Sequence, residues 1–121
     1  VDRISRVTGP YDVNSVAVAA AFAALADQSY VDAYVAEVLR ARDWILQALR
    51  DAGVRHHCDG GNYLLIWPRR SVEEIDAALR SEGILIRSMA GKPLIDGCFL
   101  VSIGTTSQMQ RFMEAYLSID P

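Results

Sequence analysis

The sequence contains one short cluster of residue types that could bind a metal ion or act as a nucleophile: His56, His57 and Cys58. Side chains alternate between the two faces of a β-strand, so at most His56 and Cys58 could share a face. A zinc site needs three or four convergent ligands, and the sequence holds no second cluster of such residues. No acid that could orient a histidine is identifiable, which argues against Cys58 as a nucleophile. We therefore expect neither a metal site nor a catalytic residue in this segment.

Arg87 has the clearest potential for binding chemistry. It directly follows the apolar residues 84–86, and this position predicts a partly buried stem with a guanidinium group that needs a partner. A guanidinium group binds a carboxylate or a phosphate through two parallel hydrogen bonds. The sequence alone leaves open whether the partner is an acidic side chain or an anionic ligand. Arg69 and Arg70, by contrast, follow Pro68 in a predicted loop and are interpreted as solvent-exposed charges.

Other common functional motifs are absent from the sequence. There is no GxSxG nucleophile elbow, and Gly60-Gly61 precedes a predicted strand instead of opening a helix as a phosphate-binding loop does. The net charge of −3, from 12 basic and 15 acidic residues, gives no electrostatic reason to expect a nucleic-acid partner. The sequence has no apolar run of about 18 residues, so we expect no membrane span.

Hydrophobic spacing, including an apolar stripe over residues 109–117, and capping residues, including capping boxes at Ser71 and Thr105, predict eight elements in the order ααββαββα. Helices are predicted at residues 16–26, 29–52, 72–82 and from 106 onward, and strands at residues 54–58, 62–67, 84–87 and 98–104. This order favours an α+β fold with two layers: a mostly antiparallel sheet of about four strands, with helices on one face. Residues 16–26 are apolar nearly all round, which indicates either burial on several sides or packing against a partner absent from this chain.

The size of the chain fits one domain over residues 1–121, and its hydrophobic fraction of 51% is ordinary for a globular protein. Cys58 and Cys98 do not make a disulfide framework, so we interpret them as free thiols in a reducing cytoplasm. A bridge between them would require neighbouring strands. The sequence begins at Val1 and not at a methionine, from which we expect a piece excised from a longer polypeptide.

Four motifs stand out along the chain: RVTGPYDVN at residues 6–14, GNY at residues 61–63, GILIR at residues 83–87 and GT at residues 104–105. Taken together, they resemble those of histidinol-phosphate aminotransferases, which are fold-type I, pyridoxal-phosphate-dependent enzymes. They stand in the family's order at compatible spacing and cover essentially the whole chain. The resemblance implies the C-terminal small domain of such an enzyme, with residues 1–14 as an extended segment leading in from the large domain.

The resemblance implies a cytoplasmic homodimer that uses pyridoxal 5'-phosphate to transfer an amino group between an amino-acid or amino-alcohol phosphate and a 2-oxo acid. It places the cofactor lysine upstream of this chain, and Lys92, the sole lysine, lacks the family's motif around it. We therefore expect no catalytic or cofactor-binding residue in this chain and no transaminase activity from the chain alone. Arg87 and Asn62 match family positions in the substrate site: Arg87 for the anionic end of the substrate, Asn62 as a hydrogen bonder at a strand start or a ligand contact.

Position 100 departs from the family pattern. The resemblance predicts a second substrate arginine thirteen residues after Arg87, where this sequence has Leu100. Three explanations stand open: a substrate without the matching carboxylate, another arginine that supplies the contact, or a related activity such as that of a pyridoxal-phosphate decarboxylase or a degenerate paralogue. The alternative for the whole chain is a non-enzymatic α+β module with a regulatory or interaction role.

Overall fold

A computed structural model describes residues 14–121, and these belong to two compact units divided between Tyr34 and Val35. The elements in chain order are α1 (Ser15–Ala26), α2 (Gln28–Asp51), β1 (Arg55–His57), β2 (Tyr63–Trp67), α3 (Val72–Ser81), β3 (Arg87–Ser88), β4 (Phe99–Ser102) and α4 (Thr106–Ile119). This order confirms the predicted string of elements and the α+β class. Apart from Asn14, the predicted leading segment at residues 1–14 lies outside the described residues.

The first unit contains α1 and the first turns of α2. Asn14 caps α1, because its side chain accepts a hydrogen bond from the Ala17 N–H at 2.9 Å. The carboxylate of Asp27 accepts a hydrogen bond from the Tyr30 N–H at 3.2 Å, and α2 begins at Gln28, one residue before the predicted start at Ser29. No residue of α1 is buried. The described residues of its unit therefore do not account for the apolar sequence of α1 by burial.

The second unit is built on a four-stranded antiparallel sheet in the order β1-β2-β4-β3. One face carries Leu64, Ile66, Phe99 and Val101, which pack against α2, α3 and α4. The buried helical residues in this core are Ala41, Ile45, Leu49, Val72, Ile75, Leu79, Met109, Phe112, Met113 and Tyr116. The helices of this unit thus lie on one face of the sheet, which confirms the predicted two-layer arrangement. Within residues 14–121, no helix combines the length and apolarity needed to traverse a bilayer.

The other face of the sheet, which carries Leu65, Leu100 and Arg87, is called the open face below. The loop between β3 and β4 partly covers it, since Met89 and Cys98 are buried there against Leu65. This second, smaller cluster was not predicted, because the residues that the loop contributes follow no strand or helix period. Both cysteines are free thiols, and β2 separates the strands that they flank.

The third strand differs from its prediction at residues 84–87. The Ile84 N–H donates to the Leu79 carbonyl at 2.9 Å and closes α3 behind Gly83, whose φ of +72° suits a glycine. Residues 84–86 therefore connect the helix to the sheet, and strand pairing begins only at Arg87. The structure places this arginine at the start of the strand and not at its end.

The last helix begins with a complete capping box. The Gln108 N–H donates to the Thr105 hydroxyl at 3.4 Å, and the Gln108 side chain accepts from the Thr105 N–H at 2.9 Å. Gly104 makes room for this, because a Cβ at that position would overlap Oε1 of Gln108. The box predicted at Ser71 shows only one of its two bonds, from the Glu74 N–H to the Ser71 hydroxyl.

Candidate functional site

Arg87 lies on the edge strand β3, and its side chain belongs to the open face. It is exposed, so the predicted partly buried stem is wrong. The reason is that the helices cover the opposite face and no strand follows β3 in the sheet. Within residues 14–121, no acidic side chain forms an ion pair with Arg87. In the described part of the chain the guanidinium group is therefore free to bind an anion.

Leu100 is the direct cross-strand partner of Arg87 in the β3–β4 register. Leu65 in turn stands opposite Leu100, and His57 stands opposite Leu65, so the four residues form one row across the open face. Directly opposite residues of an antiparallel pair have Cβ atoms about 5 Å apart. The position where the resemblance predicts a second arginine is thus the nearest cross-strand neighbour of the first.

Asn62 lies outside this row. Its backbone carbonyl accepts a hydrogen bond from the Ile103 N–H at 2.7 Å and extends the pairing of β2 with β4. Asn62 is exposed and precedes Leu65 by three residues, or about 10 Å along a strand. The structure does not bring Asn62 and Arg87 together, and a ligand contact by the Asn62 side chain stays a prediction.

The segment with two histidines and a cysteine makes local contacts. Nδ1 of His56 lies 2.8 Å from the Val54 carbonyl oxygen, and the Cys58 thiol donates to the Tyr63 carbonyl at 3.4 Å. Among residues 14–121, no three Cys, His, Asp or Glu side chains are grouped as metal ligands. The described contacts of this segment therefore stabilise the strand ends.

The residues described do not fit a site for pyridoxal phosphate. Lys92 is exposed in the loop between β3 and β4, where its backbone N–H donates to the Met89 carbonyl at 3.0 Å. A groove of about 310 Å³ between α2 and α4 is lined by Trp44, Ala48, Gln110, Met113, Glu114 and Leu117. Its one charged side chain is acidic and repels a phosphate group. Neither location offers a lysine together with a phosphate cradle.

Asp120 is a buried carboxylate that sequence analysis missed, and it is 4% exposed. It accepts hydrogen bonds from the backbone N–H groups of Arg69 and Arg70, at 2.9 and 3.2 Å, and from the Tyr116 hydroxyl at 2.7 Å. Burial alone raises the pKa of Asp120, but these bonds outweigh it and hold the pKa below its ordinary value. Burial and the bond to Asp120 also raise the pKa of Tyr116. This network fixes the loop after β2 to the end of α4.

Glu37 is a second carboxylate with a structural role that the sequence did not reveal. Its Oε1 accepts a hydrogen bond from the Thr106 N–H at 2.9 Å, and its Oε2 accepts one from Arg40 at 2.7 Å. The bond from Thr106 is the main cause that lowers the pKa of Glu37 to about 2, and Arg40 adds to it. Glu37 thus ties α2 to the positive N-terminus of α4.

Comparison with known proteins finds histidinol-phosphate aminotransferases among the relatives of this chain. No protein-family model matches the chain. A histidinol-phosphate aminotransferase of Rhodospirillum rubrum is 34% identical over 120 residues, which are 95% of this chain and 32% of that protein. The chain therefore spans about a third of the length of the curated relatives that it matches.

Solved structures share the fold. The histidinol-phosphate aminotransferase of Clostridium acetobutylicum matches 98% of this chain and 36% of its own with a TM-score of 0.78 at 22% identity. That of Sinorhizobium meliloti, in complex with pyridoxal-5'-phosphate, matches 98% of this chain and 33% of its own with a TM-score of 0.75 at 23% identity. An L-threonine-O-3-phosphate decarboxylase of Porphyromonas gingivalis matches 97% of this chain and 37% of its own with a TM-score of 0.66 at 21% identity. The fold is thus found in proteins named for two different reactions.

Proposed function

We propose, because this chain is homologous to histidinol-phosphate aminotransferases and shares their fold over about a third of their length, that it forms the C-terminal small domain of a pyridoxal-phosphate-dependent aminotransferase. The complete protein would transfer an amino group between an amino-acid or amino-alcohol phosphate and a 2-oxo acid. In this proposal a large domain of the same polypeptide supplies the cofactor lysine, and two copies form a cytoplasmic homodimer.

The exposed, unpaired state of Arg87 within residues 14–121 is the observation that supports a role in the substrate site. A guanidinium group on the open face can bind the anionic end of a substrate by donating two parallel hydrogen bonds to it. Asn62 is proposed as a second contact because it matches a family position. Its distance from Arg87 along the sheet means that it would touch a different part of the substrate.

The test is an Arg87→Ala substitution in the complete protein that contains this chain. We expect KM for histidinol phosphate and other anionic substrates to rise by about tenfold or more, since a bidentate charge contact is lost. Arg55→Ala is the matched control. Arg55 also lies on the open face, but at the other edge of the sheet, where it stacks over Trp67 at 4.5 Å. Equal KM values for Arg87→Ala and the parent protein would remove Arg87 from the substrate site.

The chain alone is proposed to be inactive, because the residues described offer no pocket for the cofactor around Lys92. After incubation with pyridoxal phosphate and dialysis, the isolated chain should retain no absorbance of bound cofactor and should transfer no amino group. A chain that stays yellow after dialysis would contradict this part of the proposal.

Leu100 favours a second candidate function, that of a related pyridoxal-phosphate decarboxylase. With a leucine opposite Arg87, the sheet offers no second arginine there for a substrate carboxylate. Carbon dioxide release from an amino-acid phosphate, in place of amino transfer to a 2-oxo acid, would favour the decarboxylase. A complete gene without a large domain that bears the lysine would instead favour the non-enzymatic module.

A further inference from the structure

We propose that Arg87 and Leu100 together select a ligand with one anionic group next to an uncharged, apolar segment. This inference rests on the proposed function, because it concerns the same substrate site, and it makes Leu100 the residue that determines specificity. A ligand of this class carries a single phosphate or carboxylate at the end that reaches the sheet. A ligand with two anionic groups close together at that end is disfavoured.

The sheet register limits what can surround a ligand bound to Arg87. Its direct neighbour on the open face is Leu100, and its diagonal neighbours across the strand pair are Cys98 and Ser102. The next residue in the row is Leu65, which is buried. None of these positions on the described sheet carries a second cation. On the sheet, one guanidinium group therefore stands next to a row of leucines, Leu100 and Leu65, which forms an apolar surface.

This arrangement discriminates in two ways. The apolar part of a suitable ligand removes part of Leu100 from water, and this favours binding. A second anionic group at the same place would lose its hydration beside Leu100 without gaining a cation or a hydrogen-bond donor, and this opposes binding. An arginine at position 100 would reverse the second effect, because two guanidinium groups about 5 Å apart at Cβ could share a dianion.

The experiment measures binding of three unreactive probes to the complete protein by calorimetry: inorganic phosphate, butyl phosphate and glutarate. We expect butyl phosphate to bind at least about tenfold more tightly than glutarate, and the Leu100→Arg variant to reverse this order. Arg87→Ala should weaken both probes by about tenfold or more. Butyl phosphate should also exceed inorganic phosphate in the parent protein, since only butyl phosphate has an apolar segment.

Two control variants separate the effect of position from that of charge and volume. Tyr63→Arg adds the same charge to the open face at a different place. Tyr63 lies on β2, two strands from Arg87, and is offset by two residues from the row that contains Arg87, so the two positions are roughly 12 Å apart. Leu100→Met keeps an apolar side chain of similar volume. Both should retain the parent preference for butyl phosphate. A reversal by Tyr63→Arg equal to that by Leu100→Arg would overturn the proposal, because net charge would then explain it.

Leu100→Lys provides a second cationic variant. The same reversal is expected from it, so the test does not depend on whether Leu100→Arg folds well.

A parent protein that binds glutarate more tightly than butyl phosphate overturns the inference without any variant. Since the probes do not react, amino transfer and binding order are independent measurements. A protein that transfers no amino group but shows the reversal contradicts only the proposed function. An active aminotransferase with an unchanged order contradicts only the inference.

Discussion

Asp120 illustrates how one buried carboxylate fixes two distant segments. It stands 51 residues from Arg69, yet its oxygens accept hydrogen bonds from the backbone of the loop after β2 and from a hydroxyl group on α4. Because a buried N–H group without an acceptor is costly, the loop conformation depends on this side chain. Arg69 and Arg70 thus contribute to the fold through their backbone N–H groups, and the Arg69 side chain also donates a hydrogen bond to the Pro121 carbonyl. Both residues are exposed, as predicted.

We predict that Asp120→Asn lowers the free energy of unfolding by about 1–3 kcal/mol at pH 7, measured by urea denaturation. Because the pKa of Asp120 is lowered from its ordinary value of 3.8, the contribution of the carboxylate is complete above that pH. It is lost as the pH falls through the folded-state pKa, so the difference from the parent should shrink in acid. Asp43→Asn, at an exposed site, should change stability by less than about 0.5 kcal/mol. An equal loss in both variants would contradict the role of Asp120.

At the scale of elements, the start of α4 combines a glycine, a capping box and a carboxylate from another helix. Gly104 leaves space for the Gln108 side chain, which bonds the Thr105 N–H, and Glu37 bonds the next N–H at Thr106. Successive N–H groups at the helix start, which have no partner within the helix, thus receive acceptors. The GT motif at residues 104–105 therefore has a structural reason independent of any ligand.

We predict that Gly104→Ala and Gln108→Ala each lower stability by about 1 kcal/mol, because each removes the same capping bond. The double variant should lose only about as much stability as either single variant, because the same bond cannot be lost twice. A double-mutant cycle by thermal or urea unfolding measures this. Gln110→Ala, on the exposed side of the same helix, should change stability by less than about 0.5 kcal/mol. Fully additive losses at positions 104 and 108 would show that the glycine acts by another route.

Local patterns predicted most of the elements, because an apolar stripe or a capping box is formed by residues only three or four positions apart in the sequence. The stripe on α4 and the box at Thr105 are such cases, and both are confirmed. The bond network of Asp120 joins positions 51 apart and has no local signature. The β3 prediction failed because the Ile84 N–H closes α3 before the strand begins. The pairing of Arg87 with Leu100 follows from a register that the irregular loop between them does not reveal.

At the scale of the whole molecule, α1 presents apolar side chains without burying one. Val16, Phe22 and Leu25 are 77%, 70% and 75% exposed. A helix that is apolar nearly all round and exposed favours association with another apolar surface. In the proposed complete protein, that surface would belong to the large domain.

We predict that the isolated chain associates with itself through α1, and sedimentation velocity over a range of concentrations measures this. Replacing Phe22 and Leu25 by serine should shift the chain toward monomer, since both remove exposed apolar area. Leu85→Ser is the matched control, because Leu85 is 68% exposed but lies outside α1. A parent chain that stays strictly monomeric at high concentration would contradict the prediction.

The short length of β3 has a consequence for motion. β3 contains two residues and pairs only with β4, whereas β2 contains five and pairs with strands on both sides. Local opening breaks few hydrogen bonds at such an edge and needs far less free energy than opening the centre of the sheet. Arg87 is thus carried by the part of the sheet that can shift at the lowest cost, while Leu100, on the neighbouring inner strand, remains fixed. A ligand can therefore draw the guanidinium group into place without disturbing the core.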